Sequence, residues 1–308
     1  MAIQLSLVFI SFSIFVILKL LDIFLNGNVW FWEYYVFIPE YFFTIAGLVL
    51  LVLSLIKRER KEIIVSILLL LLTILNLPLV SLGQPDQTSN ESIKVLVYNK
   101  GFWQEMDYNM AEFFSNQDVD LILIQEAVEQ DKVDEMLTYL NGWDYKRGYD
   151  LVTFSRFPIV NNEVGKGRFL KTTIKIGAKE VEVYNVHLPF PLYSSGAGGL
   201  WDIFNIRQDH YTELYNQLKE NEKCKIIAGD FNTKSNSNLL KEMFSNYNDA
   251  AQAKGGYPLT WNSLLPVFRV DYIFSSKEVV PVEYESFIRL SSDHYAVKSK
   301  LIGLENCK

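Results

Sequence analysis

Apolar residues crowd into the first quarter of this chain and alternate with polar ones along the rest. Ile3 to Leu25 is interrupted by charge only at Lys19 and Asp22, Tyr34 to Ile56 only at Glu40, and Ile63 to Leu82 nowhere. Each run is close to the ~20 residues needed to cross a hydrocarbon core roughly 30 Å thick, so the pattern predicts three transmembrane helices, near 3–25, 34–56 and 63–82. Trp30, Phe31, Trp32, Tyr34 and Tyr35 fall where a chain would pass through a membrane interface. A cleavable leader is the weaker reading of the first run, because a basic start and a small-residue cleavage site are both missing.

The loops suggest an orientation. Lys57, Arg58, Arg60 and Lys61 lie between the second and third runs, whereas Asn26 to Glu33 holds no Lys or Arg. Positive loops stay inside, which puts the amino terminus in the cytoplasm and everything after Leu82 on the extracytoplasmic side of a multi-pass membrane protein. Lys19 mildly opposes this and would have to snorkel. Residues 1–82 thus read as a membrane anchor, the polar, breaker-rich 83–92 as a linker, and 93–308 as one compact domain.

In that domain the period changes. Ile93 to Asn99, Asp120 to Glu126, Leu151 to Arg156, Phe169 to Ile176, Val181 to His187, Lys225 to Asp230, Val270 to Phe274 and Tyr295 to Leu301 read as strands. Met106 to Asn116, Asp131 to Leu140 and Trp201 to Glu220 carry helical spacing. An α/β fold follows. No internal repeat is evident.

Charge and cysteine content narrow the function. After residue 83 there are 24 Lys plus Arg against 31 Asp plus Glu, a net of −7, which disfavours a broad nucleic-acid grip. Lys166, Arg168 and Lys171 are expected to form a solvated strand face. Cys224 and Cys307 are too few for a disulfide framework; one bridge can be drawn, but two ordinary thiols are the preferred reading.

Polar residues of metal-binding or acid/base type end several of these strands. They are Asn99, Glu126, His187, Asp230 with Asn232, Asp271, and the pair Asp293 and His294. Side chains two apart on an extended segment share a side, so Asp230 and Asn232 can address one bound group. Taken singly, each has a bland explanation. Asn99 could cap a turn, Glu126 could cap the next helix, and Asp271 could pair with Arg269. His210, midway along an amphipathic helix, is expected to be structural.

Their joint order resembles the endonuclease/exonuclease/phosphatase superfamily over residues 93 to 302. The resemblance rests on Asn99, Gln125-Glu126, Ser155 to Ile159, Asn185 to Leu188, Gly229 to Asn232, Asp271 to Ile273 and Ser292 to His294. It implies a four-layer α/β sandwich, two mixed sheets packed face to face with helices outside, here preceded by the three spans. It also implies a divalent-metal site of Asn99, Glu126 and Asp293 for Mg²⁺, with Mn²⁺ as a substitute. His187, Asp230, Asn232, Asp271 and His294 would be catalytic. Either His294, oriented by Asp271, or Asp230 would take the proton of the attacking water, while Asn232 positions the nucleophile or phosphate and His187 donates to the phosphoryl oxygen or leaving group.

The expected activity is hydrolysis of a phosphodiester, in nucleic acid or phospholipid, by a membrane-anchored metal-dependent phosphoesterase. The alternatives are a phosphomonoesterase for inositol or other small phosphates, and an inactive, membrane-tethered binding domain. The second is disfavoured because every expected polar position is filled. The partners implied are the bilayer and a phosphate-ester substrate; no protein partner is inferred. Ser194 to Gly199 with Leu200 and Trp201 reads as a loop that could touch lipid, although a solvent-exposed linker is the preferred reading.

Overall fold

A computed structural model describes residues 7–32, 35, 38–75, 91–192, 198–255, 259–262, 264, 266–288 and 292–307. The chain divides into two compact units, Met1–Leu79 and Val80–Lys308. The expected linker 83–92 lies outside the described residues except for Glu91 and Ser92.

The first unit contains α1 (Leu7–Leu25), α2 (Glu40–Lys57) and α3 (Arg60–Leu75). Among the described residues only α1 is long and apolar enough to cross a membrane. The second expected span is shorter than the sequence pattern suggests. Pro39 at the N-cap starts α2 late, and the basic turn at left-handed Arg58 ends it, leaving the apolar stretch Tyr41–Lys57. The described part of α3 is 16 residues, about 24 Å of helix; positions 76–82 of the expected span lie outside the described residues.

This unit buries a small apolar cluster of Val8, Phe15, Leu50 and Leu69 together with several polar side chains, and leaves many large apolar side chains outside. Ser54, Ser66 and Thr73 are buried, and the Ser54 and Ser66 hydroxyls meet at 3.2 Å between α2 and α3. Gly47 brings α2 close to the backbone of α3 at Leu70. Ile10, Ile14, Ile17, Leu48, Val52, Ile56, Leu68 and Leu71 are exposed.

The second unit is built on two six-stranded sheets, ordered β11-β12-β1-β2-β4-β3 and β5-β6-β7-β8-β10-β9. In the first, β1 is Ser92–Asn99, β2 Leu121–Gln125, β3 Asp144–Gly148, β4 Leu151–Ser155, β11 Val280–Ile288 and β12 Tyr295–Ile302. In the second, β5 is Ile159–Gly165, β6 Phe169–Ile176, β7 Lys179–His187, β8 Lys225–Asp230, β9 Tyr247–Asp249 and β10 Asp271–Ser276. Strand alternation explains the layers. Ile93, Val95 and Val97 of β1 face Val181, Val183, Ile226 and Ala228 across the interior between the sheets. The intervening Leu96 and Tyr98 point outward onto α4 (Tyr108–Ser115) and α5 (Gln130–Leu137) through Met110, Phe114, Val133 and Met136. Tyr184, Val186 and Ile227 likewise point onto α6 (Leu200–Lys219) and α7 (Asn238–Met243). A short α8 (Ala250–Lys254) follows β9. The result is helix, sheet, sheet, helix, as the α/β sandwich expectation has it.

Cys224 and Cys307 are joined as a disulfide, which corrects the reading of two separate thiols. The bond ties the approach to β8 to the segment after β12, two places far apart in sequence that the sheets bring together.

Candidate active site

Strand direction gathers the polar strand ends at one edge of the sandwich. β1 and β2 are parallel with Asn99 opposite Gln125, β7 and β8 are parallel with His187 opposite Asp230, and antiparallel β10 sets Asp271 opposite Asp230. His187, Asp230 and Asp271 therefore stand side by side on three adjacent strands. Gly229 makes this spacing attainable: its φ is 144°, and a Cβ there would sit 2.0 Å from the carbonyl oxygen of Val186. Glu126 and Asn232, immediately past their strands, adopt left-handed backbone (φ 62° and 46°), a costly conformation that turns their side chains into the site.

Asp230 is at the centre. Its Oδ2 accepts from the side-chain amides of Asn99 at 3.0 Å and Asn232 at 3.1 Å, and lies 3.9 Å from His187 Nε2 and 3.8 Å from His294 Nε2. The Asn232 backbone N–H donates to its Oδ1 at 2.7 Å. Asn99 also donates to Glu126 at 3.1 Å, bridging the two carboxylates. Each histidine has its own carboxylate: His294 Nδ1 is 2.9 Å from Asp271, and His187 Nδ1 is 2.7 Å from Asp150.

The electrostatics follow from burial and these neighbours. Burial raises Asp230 to about 6; the histidines oppose the rise and Asp271 adds to it. Burial disfavours the His294 cation, but Asp271, Asp230 and Asp293 outweigh it and lift the imidazole to about 10. For His187 burial is again overcome, by the bond and charge of Asp150 and by Asp230 and Glu126, and its pKa is raised. Asp150 is held down to about 2, its burial outweighed by His187 and Arg168.

A cleft of about 280 Å³ opens onto this centre, lined by Glu126, Arg168, His187, Asp230, Asn232, Asp293 and His294, with Phe102, Pro189, Phe190 and Trp261 as apolar wall. Asp271 lies behind His294. Glu126 and Asp293 offer hard oxygen donors to the cleft, the set Mg²⁺ and Mn²⁺ favour, so these residues fit a divalent ion, with Asn99 holding Glu126. Asp230, Asp271 and His294 also bring one donor atom each within 4.8 Å of one another. Asp271 and His294 are already bonded to each other, which makes that grouping a hydrogen-bonded dyad facing Asp230.

The bland readings fare unevenly. Arg269 pairs with Asp249, not Asp271. His210 does not line the cleft, consistent with a structural role. Gln125 is a tie, not a ligand: it is buried and donates to Asn185, which donates to the Val152 and Ile124 carbonyls, linking the two sheets beneath the site. Of the cluster Lys166, Arg168 and Lys171, only Lys166 is solvent-exposed as expected. Arg168, at φ 55°, lines the cleft and donates to Asp150 at 2.9 Å, while Lys171 is buried near Glu182. Asp150 is absent from the sequence-derived set; its one signal is an acid in the tight turn Gly148 to Leu151 between two short strands.

The sequence matches the Endonuclease/Exonuclease/phosphatase family over residues 108–294, more than half of the chain. The chain belongs to this family. Its members are metal-dependent phosphoester hydrolases, and the chain is an enzyme of that class. Similar solved structures include a family protein from Leptotrichia buccalis (19% identity, TM-score 0.53, covering 68% of this chain and 99% of that one) and one from Bacteroides vulgatus (14%, 0.57, 69% and 99%). A mannosyl-6-phosphatase from Bacteroides thetaiotaomicron is also similar (17%, 0.52, 68% and 99%). These likenesses concern the fold. Comparison with curated proteins gives no match.

Proposed function

We propose that this chain is a membrane-attached phosphoesterase in which Asp230 is the general base, the observation carrying this being the position of its carboxylate between two imidazoles that are both held toward their charged form. An imidazolium has no lone pair to accept a proton, so His294 suits charge stabilisation and proton donation, and base duty falls to Asp230, whose raised pKa matches it to the task. Water attacks phosphorus as Asp230 takes its proton; the ester P–O bond breaks, and His187, oriented by Asp150, protonates the leaving oxygen. Asn232 and Asn99 fix the Asp230 carboxylate. Glu126 and Asp293 would hold Mg²⁺, which supplies Lewis-acid neutralisation of the phosphate charge when bound.

Attachment through the N-terminal unit is supported by its apolar exterior and by the Ser54–Ser66 hydroxyl contact between its helices, an arrangement suited to lipid. The Cys224–Cys307 disulfide supports an extracytoplasmic catalytic domain, because such bonds persist in oxidising compartments, and the basic turn Lys57 to Lys61 favours the same orientation. The test is purification of the full chain in detergent and assay on bis-p-nitrophenyl phosphate with and without Mg²⁺. Metal-dependent turnover that Asp230→Asn removes is expected; turnover unaffected by that change would overturn the assignment.

A further inference from the structure

The two ends of the catalytic sandwich carry opposite surfaces. At the end that holds the cleft, loop after loop exposes a large apolar side chain. Beyond β1 these are Phe102 and Trp103, 56% and 66% exposed, and beyond β2 there is Val128. The β3–β4 turn offers Tyr149, the start of α6 offers Trp201 at 57%, and the segment leading into β10 offers Leu264 at 93%. At the other end the corresponding connections are charged. Lys175 precedes the turn after β6, Glu220 and Glu222 follow α6, and Lys277 and Glu278 follow β10; the large apolar residues exposed at this end are fewer, Tyr139 after α5 at 39% and Val160 at the start of β5 at 50%. Water gives no reason for this asymmetry, since it penalises apolar exposure equally at both ends.

Resting on the reading of the chain as a membrane-attached phosphoesterase, we propose that this apolar rim docks the catalytic end onto the bilayer, so that the cleft takes the phosphate ester of a lipid headgroup. Three observations choose a bilayer over another occupant. The chain brings its own lipid-suited unit, and the stretch between Leu75 and Ser92 can extend only ~60 Å, which keeps the surface of that bilayer always within reach. The rim is scattered over five separate segments, mostly as single projecting side chains, Trp and Tyr among them, which suits insertion into the disordered headgroup boundary better than the continuous groove a protein segment would fill. The cleft sets Glu126, Asp230 and Asp293 against Arg168, His187 and His294, a balanced local set that has room for one phosphate but offers no extended basic track to the long polyanion of a nucleic acid.

The experiment uses the full chain reconstituted in dioleoylphosphatidylcholine vesicles. Trp103, Trp201 and Leu264 do not line the cleft, so the variant Trp103→Ser, Trp201→Ser, Leu264→Ser removes rim and leaves the site. It should lose about tenfold or more of the turnover on a phosphorylated lipid in the bilayer while keeping turnover of soluble bis-p-nitrophenyl phosphate within about twofold. Brominated phosphatidylcholine should quench a fluorescence component that disappears in Trp103→Phe. Absence of that component, equal loss on both substrates, or loss on neither overturns docking. So does a wild-type dimer that the triple variant converts to monomer, since the rim would then cover a second copy. If the wild type hydrolyses no phosphate ester while Trp103 is still quenched, the catalytic reading fails and the docking stands.

Discussion

The indole N–H of Trp261 donates a 2.8 Å hydrogen bond to the carboxylate of Asp293. Trp261 is itself clamped: it bridges to Phe268 on one side and to His294 on the other, and its ring stacks on Phe268. The preceding Thr260 accepts from the backbone of Asp271 through its hydroxyl. One dipeptide thus braces both the candidate metal carboxylate and the carboxylate behind His294.

Trp261→Phe keeps an aromatic ring and removes the donor. Outer partners of metal ligands are typically worth about 10 to 100-fold in affinity, so Mn²⁺ binding to the purified chain should weaken by that order in a calorimetric titration. Asp293→Asn should weaken it as well, and the double variant should lose less than the sum of the two, because both changes break one bond. Unchanged affinity in Trp261→Phe would reduce the residue to a wall of the cleft.

On the proposed mechanism, Asp230 and His294 set the pH limits of activity. Below about pH 6 Asp230 is protonated and no base remains; toward about pH 10 His294 loses the charge that serves the reaction. The profile of kcat/KM should therefore rise through the first value and fall near the second. Asp230→Asn and His294→Gln should each cut kcat by roughly 100-fold or more, with circular dichroism unchanged. A profile whose acidic limb persists in residual Asp230→Asn activity would move the base elsewhere.

Asp150 links activity to acid stability. Its folded pKa of about 2 lies below the ordinary value of 3.8, so its contribution is complete above about pH 4 and is lost as pH falls toward 2. At neutral pH that contribution is on the order of 2 kcal/mol. Asp150→Asn should lower the melting temperature at pH 7 by several degrees, and the gap from wild type should shrink by roughly half at pH 3 and close as the pH falls to 2 and below. The variant should also lose kcat, since His187 no longer has its charged partner.

Much of this was legible in the sequence because strand ends leave a one-dimensional trace. An apolar run ending in Asn99, Glu126, His187 or Asp230 marks both the strand and the residue it delivers. The short edge strands β3, β5 and β9 and the mostly intermediate-to-exposed β11 carry no such run; Asn161 to Val164 of β5, for instance, is exposed. Asp150 escaped notice, and Arg168 was read as part of a solvated face, for a related reason. They act from turns, where acids and bases are ordinary, and only the meeting of two turns from different sheets gives them a role. Trp261 shows the same limit, because its partner is 32 positions away. The second apolar run was read as a longer helix than forms, since hydropathy does not register where Pro39 begins a helix or a basic turn ends it.

The disulfide separates stability from catalysis. It closes an 83-residue separation between Cys224 and Cys307, and a cross-link over a loop of that size typically contributes about 2 to 4 kcal/mol by restricting the unfolded chain. Cys224 lies just before β8, while Asp230 ends that strand, roughly 20 Å away along its axis. Cys224→Ser, Cys307→Ser or their combination should therefore lower the melting temperature by several degrees and leave kcat near wild type well below the transition. The same variants read out the compartment. In intact cells a membrane-impermeant maleimide should fail to label the wild-type pair, label it after reduction, and label the remaining thiol of either single variant once the domain is loosened by mild heating. Labelling of the untreated wild type by a permeant maleimide alone would place these cysteines, reduced, on the cytoplasmic side and reverse the orientation.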